Sequence, residues 1–241
     1  AVDGVYALTL TRTDLGSTVV FSATATESDL PDSDPTASSP LTFSAATAPS
    51  TVALSQTGLV VTADISVSSG DSIGTVTAAV GDSDPVVLTP VDGVYSIQLT
   101  RADAGKSVVF SATATREGKA VSDSTSSEPL TFSIAAAPTA IVVSQTNLTV
   151  SAAVTFAEGT SPGVVTATVG DADPVAVTPV DDLYSVLLTR ADLGKTIVFT
   201  AVGSATGIPD SDSLSSEPFT FSAAQAPSSV TLSQSGLSLI H

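Results

Sequence analysis

Apolar and polar side chains alternate along short runs of this chain, and turn residues close each run. Tyr95, Ile97 and Leu99 fall on one side of an extended backbone and Val94, Ser96 and Gln98 on the other, the two-residue period of a half-buried strand. Gly58, Ser69-Gly70-Asp71, Asp82-Ser83-Asp84-Pro85, Asp92-Gly93 and Asp103-Ala104-Gly105 supply the backbone chemistry that reverses a chain. Between these turns the pattern predicts seven strands, at residues 51–56, 59–67, 75–81, 85–90, 94–101, 106–115 and 129–134. The longest nearly apolar run, Ile134 to Val143, is interrupted by Pro138 and Thr139 and falls short of the roughly 18 to 20 residues that cross a bilayer.

The pattern repeats. Val-Asp-Gly-Val-Tyr at Val2 to Tyr6 returns at Val91 to Tyr95, and as Val-Asp-Asp-Leu-Tyr at Val180 to Tyr184, a period of 89 residues. The segment starting at Val20 returns at Val109, Pro40 to Phe43 returns from Pro129 and Pro218, and Ser55-Gln56 returns at Ser144 and Ser233. A unit of this length is too long for a solenoid repeat of roughly 20 to 50 residues and suits a self-contained β-sandwich. Boundaries fall best at the Ala/Pro-rich junctions ending in Pro49, Pro138 and Pro227, which stiffen the passage between neighbours. The expected organisation is therefore two whole domains, 49–137 and 138–226. Residues 1–48 form the C-terminal part of a preceding repeat, and 227–241 the start of a further one. The two fragments together lack about two strands of a unit, so strand exchange between molecules is not expected. The chain starts at Ala1 without Met and stops at His241 inside a repeat, which reads as a window on a longer protein.

Composition agrees with strands. Val, Thr, Ser and Ala dominate, aromatic residues make up 5%, and a hydrophobic content of 42% gives the chain enough apolar area to fold. Twenty-four acids against seven bases give a net charge of −17, which repels nucleic acid and anionic lipid and makes cations the natural partners. With neither Cys nor Met, the chain has no disulfide, no thiolate metal site and little to lose to oxidants.

The segment Leu99 to Thr115 resembles the E strand, E–F turn and F strand of an immunoglobulin-like domain, with an Asp-x-Gly turn before an alternating strand that carries an aromatic near its start. Phe110 stands where that family often has Tyr, and neither a Cys pair nor a Trp is present. Taken with the period, the strand count and the acidic, Cys-free composition, the chain is similar to the bacterial Ig-like (Big-type) tandem repeats of large cell-surface adhesins and biofilm-associated proteins. The resemblance implies an all-β fold of tandem seven-stranded sandwiches. It further implies a stalk or spacer in a secreted or cell-surface protein, whose partners are neighbouring repeats and other copies in a fibre or matrix. The rival readings are repeats that pack laterally into a filament and repeats that bind carbohydrate. Sugar platforms need exposed aromatic faces, and few aromatics are available.

Catalytic chemistry is hard to assemble here. The sole histidine is His241, which leaves no Ser-His-Asp triad inside the fold, and zinc sites fail for want of Cys and His. No enzyme is expected. An isopeptide crosslink in every repeat is not expected either, because Asn147 is the only Asn and Lys106 is matched by Ser17 one period earlier. Asn147-Leu148-Thr149 forms a glycosylation sequon that its counterpart Gly58-Leu59-Val60 lacks.

The acids carry the remaining signal. Asp3, Asp92 and Asp181 recur, as do Asp14, Asp103 and Asp192, then Asp34, Asp123 and Asp212, and the pairs Asp82 with Asp84 and Asp171 with Asp173. Seven alternating strands put Asp82, Asp84 and Asp103 at the exit pole of domain 49–137. There they would face Asp181, Asp212 and Glu158 at the entry pole of the next domain, a set of carboxylates suited to an inter-domain Ca²⁺. The competing explanation is that Asp suits tight turns, with Arg101 or Arg190 as a surface partner. Melting the chain in millimolar Ca²⁺ and in chelator separates the two. A shared ion raises the unfolding temperature by several degrees, and a difference under about one degree removes it.

Overall fold

The computed structural model describes residues 5–235 and 238–240. The recurring acid Asp3 and the histidine His241 lie outside them. Four short strands come first, β1 (Thr18–Val19), β2 (Ser22–Ala23), β3 (Thr36–Ala37) and β4 (Leu41–Thr42). A sandwich follows from β5 (Thr51–Thr57), β6 (Val60–Ser66), β7 (Ser72–Val80), β8 (Val86–Leu88), β9 (Tyr95–Gln98), β10 (Ser107–Thr115), β11 (Thr125–Ser126) and β12 (Leu130–Thr131). A second is built from β13 (Ala140–Thr146), β14 (Thr149–Thr155), β15 (Ser161–Val169), β16 (Val175–Ala176), β17 (Pro179–Val180), β18 (Leu183–Leu187), β19 (Thr196–Ser204), β20 (Leu214–Ser215) and β21 (Phe219–Thr220). β22 (Ser233–Ser235) and β23 (Ser238–Ile240) pair as a closing hairpin. The chain divides into two compact units, Ala1–Ser133 and Ile134–His241.

Each sandwich sets a sheet ordered β5-β6-β9 against one ordered β11-β10-β7-β8, with β12 also on β10, and all pairs are antiparallel. The second has the order β13-β14-β18-β17 against β16-β15-β19-β20, with β21 on β19. These are tandem immunoglobulin-like sandwiches.

The core follows from alternation on the central strand. Val108, Phe110, Ala112 and Ala114 of β10 are all fully buried, and the residues between them are not. On β19 the same side holds Ile197, Phe199 and Ala201, also fully buried, and then Gly203. From the facing sheet and the last strand, Val61, Leu99 and Phe132 pack on the first set, and Val150, Leu188 and Phe221 on the second. Residues 5–48 show what an opposing sheet contributes. Phe21, one period before Phe110, is 45% exposed where Phe110 is 0%, because no opposing sheet covers it.

Four of the expected strands differ. The fourth is Val86–Leu88 rather than 85–90, and the fifth ends at Gln98 rather than 101, because Arg101 opens a 3₁₀ turn. The third begins at Ser72 rather than residue 75, because a register shift between Ala112 and Ala114 lets Ser72 and Ile73 keep pairing along β10 past Gly74. The seventh, expected as one run over 129–134, is two short rungs at β11 and β12, interrupted at Ser127-Glu128-Pro129, with both rungs lying on β10. Across the break a serine hydroxyl, rather than a main-chain carbonyl, accepts the β10 N–H. Ser127 Oγ accepts the Phe110 N–H at 3.1 Å while the Ser127 N–H donates to Phe110 O at 2.8 Å. Further along, Ser122 Oγ accepts the Ala114 N–H at 2.7 Å. Ser216 and Ser211 do the same for Phe199 and Gly203, and Ser38 and Ser33 for Phe21 and Ala25.

These serines satisfy backbone donors that burial would otherwise orphan. Replacing Ser127 with Ala is expected to cost about 1 to 3 kcal/mol, the penalty for an unpaired buried N–H. Replacing the exposed Ser124 with Ala should change stability by less than about 0.5 kcal/mol. Denaturant unfolding of the two variants beside the parent chain measures both.

Candidate functional site

The most built-up polar site lies where one repeat meets the next inside the first unit. The Thr11–Asp14 turn presents Arg12, whose guanidinium donates to Val121 O at 2.5 Å and Ser122 O at 3.4 Å and forms an ion pair with Asp123. From the other side, the linker after Phe43 runs alongside the same loop. The Ala46 N–H donates to Ala120 O at 2.8 Å, and the Ala120 N–H donates to Ser44 O at 3.0 Å. Ala46 is 6% exposed in consequence. The second unit repeats the main-chain part: the Ala135 N–H donates to Pro209 O at 2.8 Å, and Ala135 is 3% exposed. At Ala46 and at Ala135 the linker is hydrogen-bonded to the sandwich that follows it.

The start of the linker is clamped as well. Gln56, on β5, donates from Nε2 to Ser133 O at 2.7 Å and accepts the Ser133 N–H at 3.0 Å, and Gln145 holds Ser222 in the same way at 2.7 and 3.2 Å. This two-way amide bond accounts for the recurrence of Gln on the first strand.

The arginine's turn is itself fixed. Residues Arg101–Asp103 form one turn of 3₁₀ helix, in which the Asp103 carboxylate accepts from the Thr100 N–H at 2.9 Å, the Thr100 hydroxyl at 2.7 Å and the Lys106 ammonium at 2.7 Å. Thr189, Asp192 and Lys195 repeat the arrangement. The lysine bond first, then the threonine bonds, hold both carboxyls well below the usual carboxylate range. Asp14, with Ser17 in place of the lysine, is lowered by its bonds from Thr11 alone.

The candidate calcium ligands take these places within their own units. Asp103 is engaged as described. Asp82 and Asp84 are exposed on the turn after β7, which shares its end of the sandwich with Lys106, since Gly81 N–H donates to Ser107 O at 2.7 Å. Asp181 has φ 49° and Asp182 φ 64°, as Asp92 has φ 50° before Gly93, the left-handed pair of a two-residue hairpin. Glu158 is exposed in the loop before β15, and Asp212 is exposed beside Ser211. Among the described residues, no three Asp, Glu or His side chains gather as a metal site requires. Asn147 of the sequon has φ 54° at the hairpin turn where Gly58 has φ 57°, so Asn stands there as a residue that tolerates this backbone.

One buried pair escaped sequence reasoning. The Asp71 side chain is wholly covered and meets Arg116 Nε at 2.5 Å, while Arg116 Nη2 donates to Ser69 O at 2.5 Å. Asp71 also accepts the N–H of linker residue Thr47 at 3.3 Å. One period later stand Thr160 and Ala205, and Thr160 is satisfied locally by Ala157 O at 2.7 Å.

No family model matches the chain, and no curated protein matches it. Solved structures similar to it include a two fibronectin type-III domain segment from chicken tenascin, 18% identical over 71% of this chain and 98% of that one, with a TM-score of 0.33. The chicken CNTN1 FN1–FN3 domains are 14% identical over 86% and 76%, with a TM-score of 0.35. At such scores the likeness adds nothing to what the strand order states.

Removing one partner of a buried pair strands the other charge. Arg116→Ala is expected to cost the first unit about 3 kcal/mol or more. The double variant Asp71→Thr with Arg116→Ala, which copies the second sandwich, should recover most of that loss. Thermal unfolding of the three chains side by side measures both effects.

Proposed function

We infer that this chain is a stretch of a non-enzymatic spacer in a long, repetitive extracellular protein of the surface-adhesin or fibre kind, whose repeats hold a binding region away from a cell. The observation that carries this reading is the two-sided grip on loop 120–123, by Arg12 and by the linker backbone. A linker hydrogen-bonded to the next sandwich transmits orientation, as a stalk requires and a string of independent binding modules does not. The domains proposed on this reading are 49–137 and 138–226, each closed by its Ala/Pro junction. Their proposed setting is secreted or cell-surface, and the partners are adjoining repeats.

Aromatic placement weighs against the carbohydrate reading. Phe110, Phe132, Phe199, Phe221 and Tyr184 are buried and Tyr95 is half-buried, which leaves the two sandwiches without an exposed ring for a sugar to stack on among their described residues. Lateral assembly has one observation in its favour. The edge strands β8 and β16 carry Val86, Val87 and Val175 at 58, 65 and 66% exposure, a paired-strand template on each sandwich.

Small-angle scattering and electron microscopy of the chain test the spacer. The expected particle is a thin beaded thread that lengthens by about 35 to 40 Å per sandwich, from strands of about seven residues plus loops. A compact particle, or a bundle of side-by-side chains, would overturn it.

A further inference from the structure

Along its flank, the second sandwich is open between its two sheets. Two cavities of about 320 and 310 Å³ lie at this seam, and Ala176 of β16 and the following Val177 wall both of them. One reaches the core residue Ala167 and is bounded by Leu187 of β18, and the other is bounded by Val164 and Tyr184. The first sandwich carries Val87 and Leu88 where the second has the smaller Ala176 and Val177, and Leu88 packs on its core. The rim of the seam is apolar as well. Val164, Val175 and Leu187 are 60, 66 and 77% exposed, and two of the three replace polar residues, Thr75 and Gln98, of the first sandwich. Apolar side chains gathered around a cleft in this way mark a contact surface.

The backbone at the seam has bonding capacity to spare. β16 pairs with β15 alone, and beyond it the Val177 N–H donates to Val165 O at 2.8 Å. Antiparallel ladder bonds fall on every second residue, so Ala176 turns its N–H and C=O away from β15 toward solvent. Charge then narrows the occupant. Asp171 and Asp173 stand between β15 and β16, and Asp181 and Asp182 stand after β17, all four exposed. Lys195, whose stem lies beside Gly170, has its ammonium on Asp192 at 2.7 Å. The seam is thus apolar along its length and negative at both ends, and the run from Val175 to Val180 between those ends measures about 20 Å when extended. A second copy brings the wrong charge, because the chain has 24 acids to seven bases and its other edge strand, β8, is bracketed by Asp82, Asp84 and Asp92 in the same manner.

We propose that this seam binds an extended segment of a partner protein, about five or six residues long, apolar in its middle and carrying Lys or Arg at both ends. The segment lies along the free edge of β16 and exchanges main-chain hydrogen bonds with Ala176, as in other cases of strand addition. Its apolar side chains enter the two cavities, and its cations meet Asp173 at one end and the Asp181-Asp182 turn at the other. The proposal adds a lateral partner to the spacer reading and does not rest on it.

Fluorescence anisotropy of the labelled peptide Lys-Lys-Val-Thr-Val-Thr-Val-Lys-Lys, titrated with the whole chain up to about 1 mM, reads the binding. The expected result is saturation that weakens about tenfold in about 0.5 M NaCl, as exposed charge pairs are screened. The same peptide with Glu in place of Lys should not bind. Ala176→Pro removes the outward N–H at an edge position where proline is tolerated, and Val177→Leu puts the first sandwich's side chain into the seam. Each is expected to weaken binding about tenfold. Thermal unfolding of both variants accompanies the titration, and Val177→Leu decides alone if Ala176→Pro melts early. Absence of binding overturns the proposal, and so does binding that the folded variants leave unchanged, which bulk charge explains. A parent chain whose mass climbs with concentration in sedimentation velocity, and no longer does so as Val177→Leu, would overturn it too by making a second copy the occupant.

Discussion

Both sandwiches depend on one central strand that has to satisfy three demands at once. On β10 and β19 every second side chain fills the core, one edge pairs along seven positions with β7 or β15, and the other edge meets only two short rungs. The gaps on that second edge lie over buried backbone, where an unpaired N–H is costly. Serine hydroxyls from Ser122, Ser127, Ser211 and Ser216 fill them, and each of these serines is nearly inaccessible to solvent. Small core residues follow from the same geometry. Ala112 and the cross-strand Ala78 lie beside Phe110, and Ala201 and Ala167 beside Phe199, so each phenylalanine takes up the central volume.

The leading fragment is an internal control for this account. It keeps the serine bonds to Phe21 and Ala25, and the turn that presents Arg12, yet Phe21 and Val20 stay largely open to solvent. Local hydrogen bonding therefore forms without the opposing sheet, and burial of the aromatic does not. What joins the fragment to the next sandwich is polar: an arginine, two main-chain bonds and the Thr47 N–H on Asp71.

Alternation and turn residues made the fold class readable, since both are local. The strands expected at 51–56, 59–67 and 106–115 lie within a residue or so of β5, β6 and β10. The last strand was less legible because its apolar run at Leu130, Phe132 and Ile134 hides a break, and the strand's bonding depends on hydroxyls whose partners sit 8 to 17 residues away. Recurrence drew attention to the acids without revealing that they do separate jobs. Asp92 and Asp181 hold hairpin backbone, Asp103 and Asp192 cap a 3₁₀ turn, and Asp123 pairs with an arginine 111 residues earlier. That last distance explains the omission. Arg12, Arg101 and Arg190 recur as plainly as the aspartates, but no local pattern links Arg12 to loop 120–123. The Asp71–Arg116 pair was less visible still, because Thr160 and Ala205 break its recurrence.

The grip at the linker also bears on how such a protein changes over generations. The arginine turn recurs at Arg12, Arg101 and Arg190, and the Ser-Asp loop at Ser33-Asp34, Ser122-Asp123 and Ser211-Asp212. Unequal crossing-over within a gene that gains or loses a whole repeat would carry both of these segments along together. Length becomes adjustable by recombination alone, and the private pair at Asp71 and Arg116 shows that a single copy can drift without touching the parts the others rely on.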